Sequence, residues 1–164
     1  MKRNIARRTA LMVFAATLVV SMAGTARAEG PECSLALTAG KYAFTDSGTV
    51  LGIGPRTAVG IFTLDAAGNL TNGKATSSLN GSVAVETFSG TYTVNPDCTG
   101  TIAVAIFDQS GNKIFTVTLN IAWDDNVREL RGIFTSVVLP NGTPLATVIN
   151  LDGRKLVSQS SNEQ

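Results

Sequence analysis

A four-residue phrase, glycine, any residue, aromatic, then Thr or Ala, occurs four times: Gly40-Lys41-Tyr42-Ala43, Gly60-Ile61-Phe62-Thr63, Gly90-Thr91-Tyr92-Thr93 and Gly132-Ile133-Phe134-Thr135. In a strand, residues two apart share a face, so each glycine leaves a gap beside a ring that points the same way. Such gaps let a sheet curve strongly. The phrase predicts a closed or nearly closed antiparallel barrel whose inner wall carries Tyr42, Phe62, Tyr92 and Phe134.

From Gly40 onward, short β-branched or aromatic runs alternate with turn clusters, and no helical periodicity stands out beyond the leader. Eight strands are predicted, at 40–47, 56–65, 69–79, 82–94, 99–108, 112–123, 129–139 and 144–152. Their connections carry turn chemistry, as in Ala66-Ala67-Gly68-Asn69, Asn80-Gly81, Asn95-Pro96-Asp97, Gln109-Ser110-Gly111-Asn112 and Pro140-Asn141-Gly142-Thr143. Short turns make neighbouring strands antiparallel. The expected class is all-β, a single eight-stranded up-and-down β-barrel that leaves no open edge, with a two-sheet β-sandwich as the alternative.

The predicted organisation is a signal peptide over 1–28, a tethered N-terminal segment over 29–39, the barrel over 40–152 and a disordered polar tail over 153–164. Lys2, Arg3, Arg7 and Arg8 precede the apolar run Ala10 to Ala23, which closes on Ala26-Arg27-Ala28, a small-x-small cleavage pattern. That run has 14 residues, short of the roughly 20 a helix needs to span a bilayer, so no membrane anchor is expected. Arg7-Arg8 resembles a twin-arginine signal only weakly, and ordinary secretion to the periplasm or beyond is the favoured route. Cleavage after Ala28 takes five of the thirteen basic residues and none of the twelve acidic ones, which leaves a net charge of −4. An acidic product without a basic patch is a poor partner for nucleic acid.

Cys33 and Cys98 are the only cysteines, and in an exported chain they are expected to form a disulfide. Two distant thiols with no histidine make a poor metal site, so none is expected, nor any cofactor. The missing histidine also removes the usual general base and every Ser-His or Cys-His pair. No glycine-rich loop leads from a strand into a helix to cradle phosphate. Asp46, Asp65, Asp97, Asp108, Asp124, Asp125 and Asp152 fall at turns or strand ends, where they are expected to cap turns or face water. Asp124-Asp125-Asn126 alone supplies too few oxygens for calcium. Asn69-Leu70-Thr71, Asn80-Gly81-Ser82 and Asn141-Gly142-Thr143 fit the glycosylation pattern but read first as turn residues.

Glu86 breaks the pattern. It falls mid-strand on the aromatic face, where a carboxylate is costly unless paired, hydrated or protonated. One reading makes Glu86 the candidate acid of a ligand pocket lined by Tyr42, Tyr92 and Trp123; the other places a bulge near Gly90 that turns Glu86 outward. Tyr42, Tyr92 and Trp123 equally suit a core with polar tips near a rim, and Arg56, in phase with Phe62, is either at a barrel mouth or solvated. Ile114, Ile133, Val137 and Val148 are assigned outside, an apolar outer face that self-association or a terminal segment would cover.

The stretches Phe62 to Leu70 and Gly90 to Thr101 resemble small secreted bacterial proteins with lipocalin-like or allene-oxide-cyclase-like barrels, over roughly residues 33 to 152. The lipocalin resemblance implies a small apolar ligand, although Gly40-Lys41-Tyr42 stands where that family has Gly-x-Trp. The cyclase resemblance implies ring closure or isomerisation inside a barrel, although no catalytic position of that family is matched here residue by residue; for such an enzyme Glu86, from its place on the aromatic face, is the candidate acid or base. A non-enzymatic ligand-binding barrel is the leading expectation, and a secreted interaction module acting through its outer surface is the other non-enzymatic one.

Overall fold

The computed structural model describes residues 32–157; the predicted leader, and the tail from residue 158, lie outside them. Eight strands follow one turn of helix: α1 (Leu35–Thr38), β1 (Gly40–Val50), β2 (Gly54–Leu64), β3 (Asn69–Leu79), β4 (Ser82–Val94), β5 (Thr99–Phe107), β6 (Lys113–Trp123), β7 (Glu129–Val138) and β8 (Thr147–Lys155). Each strand pairs antiparallel with the next, and β8 pairs with β1 to close the barrel. The up-and-down barrel is therefore the fold and the sandwich is not.

The elements depart from expectation most at β1, at β8 and in one added turn of helix. β1 runs on beyond Ser47 through Gly48 and Thr49 to Val50, because its backbone pairs with β2 and β8 along its length. β8 continues through Gly153, Arg154 and Lys155, which were assigned to the tail. The α1 turn was not expected; Ser34 caps it, accepting from the Leu37 amide, and a single turn is too short to leave a periodicity.

Alternation places Tyr42, Phe62, Leu64, Tyr92, Leu119, Ile121 and Trp123 in the core as expected. Bulges in β3, β6 and β7 adjust the remainder, and those in β3 and β7 bear on the site. In β3, Thr71 and Asn72 stand between the pairs Leu70↔Gly90 and Gly73↔Phe88, where β4 has only Ser89. Asn72 takes the extra residue in the left-handed region, φ +53°. The bulge thus lies beside Gly90 but on the facing strand, so β4 keeps its phase and Glu86 stays inside. In β7, Phe134 pairs with Leu119 and Ser136 with Thr118, which leaves Thr135 unpaired and flips the faces beyond it. Val137 is accordingly buried, not on the outer face, and Val138 takes the outer side.

The barrel has two unlike ends. At one end α1 forms a plug: the Tyr42 hydroxyl donates to the Thr38 carbonyl at 2.7 Å, and the Tyr92 hydroxyl, which donates to the Asp65 carbonyl at 2.6 Å, accepts from Thr38 Oγ1 at 3.4 Å. The disulfide Cys33–Cys98 ties the plug to the β4–β5 turn, and Lys155 Nζ donates to the Leu37 carbonyl. The other end carries the β1–β2, β3–β4, β5–β6 and β7–β8 connections and stays open.

Candidate functional site

Four adjacent strands contribute one inward polar side chain each near the open end: Asp46 on β1, Arg56 on β2, Ser77 on β3 and Glu86 on β4. The inner-wall neighbours Ala58 and Ala75 are small and buried, which leaves room for a guanidinium. Arg56 meets Glu86 through both carboxylate oxygens, Nη2 to Oε2 at 3.1 Å and Nη1 to Oε1 at 3.4 Å. Ser77 Oγ donates to Glu86 Oε1 at 2.7 Å. Asp46 is a looser partner, with Arg56 Nη2 3.5 Å from Oδ2 and Nε 3.5 Å from Oδ1. Glu86 and Asp46 side chains are 4% and 3% exposed, and that of Arg56 is 9%.

One guanidinium thus faces two buried carboxylates. Burial pushes the Asp46 carboxyl above its ordinary value and the nearby Glu86 charge adds to this, while Arg56 opposes it. Burial also works against the Arg56 charge, but the two carboxylates outweigh it and hold the guanidinium above its usual range. Asp46 Oδ1 is buried and makes no hydrogen bond. The expectation that Asp46 caps a turn or faces water is corrected here: Asp-Ser-Gly-Thr looks like a turn, but Asp46 pairs in mid-strand with Ala58 and Leu151.

Two cavities adjoin the cluster. An inner one of about 40 Å³ is bounded by Asp46, Arg56, Glu86 and the rings of Phe44, Phe62, Phe88 and Phe134. An outer one of about 190 Å³ lies at the open end, walled by Val50, Ile53, Leu79, Phe115, Val137 and Leu145 among other apolar residues. Arg56, Ile106, Val117 and Phe134 border both, so the guanidinium stands where the outer cavity gives way to the inner. Its placement at the mouth matches one of the two readings of the sequence.

The structure separates the other candidates from Glu86. Tyr92 is six residues further along β4, about 20 Å away along the strand, at the plugged end. Tyr42 stacks on Phe62 with ring centroids 5.4 Å apart, and Tyr92 packs against Trp123 at 6.4 Å. Burial pushes the Tyr42 phenol up to about 12. Tyr42, Tyr92 and Trp123 border neither cavity at the open end; the two hydroxyls hold α1 instead. Asp46 and Ser77 are site residues that sequence reasoning missed. Both sit in the inward phase of their strands, and Ser77 could be placed only once the β3 bulge was known.

Among the described residues no group of three or more His, Cys, Asp or Glu could hold a metal ion, and no helix is long and apolar enough to cross a membrane. Compared with known proteins, the chain matches no family, no curated protein and no solved structure.

Proposed function

We propose that this protein is an exported barrel that binds a small apolar ligand at its open mouth, without catalysing a reaction. The observation that carries the reading is the outer cavity of about 190 Å³, walled by aliphatic and aromatic side chains above a charged floor. Cavities of about 150 Å³ with apolar walls take up a single benzene ring, so a monocyclic or short-chain molecule is the right size. Glu86, held by Arg56 and Ser77, is positioned to fix the floor of the site. The basic, apolar leader and the disulfide support export, and the barrel is compatible with the lipocalin-like resemblance.

Calorimetric titration with ethylbenzene tests the reading. Binding should be lost in Leu145→Trp, which fills the cavity from its rim, with the circular dichroism spectrum unchanged. Equal binding by Leu145→Trp would move the ligand elsewhere.

One observation favours a second reading, an interaction module or homo-oligomer. Val59 and Val83 line one outer depression and are 59% and 70% exposed. Sizing chromatography distinguishes the two, because a monomer that binds ethylbenzene leaves the outer face without this role.

A further inference from the structure

We infer that the ligand is a small organic cation, an amine whose apolar body fills the outer cavity and whose ammonium group reaches Asp46. This rests on the ligand-binding reading above and names the chemistry of the polar end. Three independent features converge on it.

The first is charge. Asp46 and Glu86 carry two carboxylates against one guanidinium, all within a side-chain shell at most 9% exposed. A buried pair of opposite charges balances itself; this cluster is one positive charge short. A ligand carboxylate would be the third anion around Arg56 and would be repelled. An ammonium completes the balance.

The second is hydrogen bonding. Arg56 and Ser77 between them engage both oxygens of Glu86. Asp46 Oδ1, by contrast, is a buried acceptor with no hydrogen bond, and its nearest cationic atom is Arg56 Nε at 3.5 Å. Buried carboxylate oxygens without donors are costly, and an ammonium offers three donors on a compact centre.

The third is the wall. The inner cavity that Asp46 borders is also lined by the rings of Phe44, Phe62, Phe88 and Phe134. Aromatic faces attract cations through their quadrupole, and the attraction grows where water is excluded. A volume of about 40 Å³ suits an ammonium head and excludes a bulky one. Arg56 borders both cavities, so the stem of the ligand runs past it.

The test compares three molecules of like shape, 2-phenylethylamine, ethylbenzene and 3-phenylpropanoate, by calorimetry at pH 7 and low salt. The amine should bind at least tenfold more tightly than the hydrocarbon, and the acid more weakly than either. In Asp46→Asn the ratio of amine to hydrocarbon affinity should fall to near one. If that variant does not fold, the preference order in the wild-type protein still decides the matter. Ethylbenzene bound as tightly as the amine would overturn the cation assignment and leave the apolar-ligand reading standing. No binding by any of the three at millimolar concentration would overturn both. An amine preference that survives Asp46→Asn would overturn the role of Asp46.

Discussion

The ring of Phe44 on β1 occupies the inner space over Gly60 on β2, its Cε1 only 2.7 Å from where a Cβ on Gly60 would stand. The two residues are direct cross-strand partners. Gly73 and Phe88 repeat the arrangement between β3 and β4, with ring atom Cε2 2.6 Å from the position of a Cβ. Gly60 and Gly73 therefore make room for rings on the neighbouring strand, and these two rings, Phe44 and Phe88, pack together with Phe62 at centroid distances of 5.6 to 6.3 Å. This aromatic layer supports the charged cluster.

Gly60→Ala should accordingly destabilise the barrel by about 1–3 kcal/mol, because the added methyl forces the Phe44 ring and the Lys74 carbonyl to shift. Urea unfolding measures the loss. Gly81→Ala is a control of a different kind: nothing lies within 4 Å of its Cβ position, so its cost comes from backbone conformation alone, φ +85°.

Removing the cation of the cluster should be far more costly than crowding the wall. Arg56→Met leaves Asp46 and Glu86 buried together without a counter-charge, and a loss of about 3–5 kcal/mol is expected in urea unfolding at pH 7. Stability equal to wild type would mean that the guanidinium is not needed to hold the two carboxylates inside.

Asp46 should show an inverted pH dependence. Its carboxyl is raised in the folded state, so its contribution is present in full below about pH 4, the unfolded value, and is lost as pH rises through the folded one. Asp65, Asp97 and Asp108 act in the opposite sense, held low by side-chain hydrogen bonds from Asn69, Thr99 and Asn112 in their turns. Their contribution is present above about pH 4 and fades as pH falls. Asp46→Asn should thus be more stable than wild type at pH 7, with the gap closing toward pH 3. A variant less stable at pH 7 would contradict the assigned shift.

The disulfide is expected to contribute about 4 kcal/mol through the 65-position span that it closes. Cys33→Ser with Cys98→Ser should lower the urea midpoint accordingly. It should also loosen α1, which amide exchange at Thr38 and Ala39 would report through their bonds to Ser34 and Leu35.

Strand alternation made the inner wall legible in the sequence, and Glu86 could be recognised as its exception. The partners of Glu86 could not, because they follow from register. Arg56 and Asp46 come from β2 and β1, and Ser77 reaches the inner face only after the Asn72 bulge changes the phase of β3. The Thr135 bulge is equally silent, since an unpaired threonine has the composition of a paired one, and so Val137 was assigned to the wrong face. Tyr42, Tyr92 and Trp123 were grouped with Glu86 because they share the inner face. Position along the barrel axis separates them, and that depends on where each strand starts.

Methyl-resolved NMR of the protein titrated with ethylbenzene tests the mouth-binding account most directly, because valine, leucine and isoleucine methyls stand on both surfaces of the barrel. The account predicts shifts at Val50, Ile106, Val137, Leu145 and Ile149 around the outer cavity, with Val59, Val83 and Val148 on the exterior unmoved. Shifts confined to those exterior valines, or none at millimolar ethylbenzene, would contradict it.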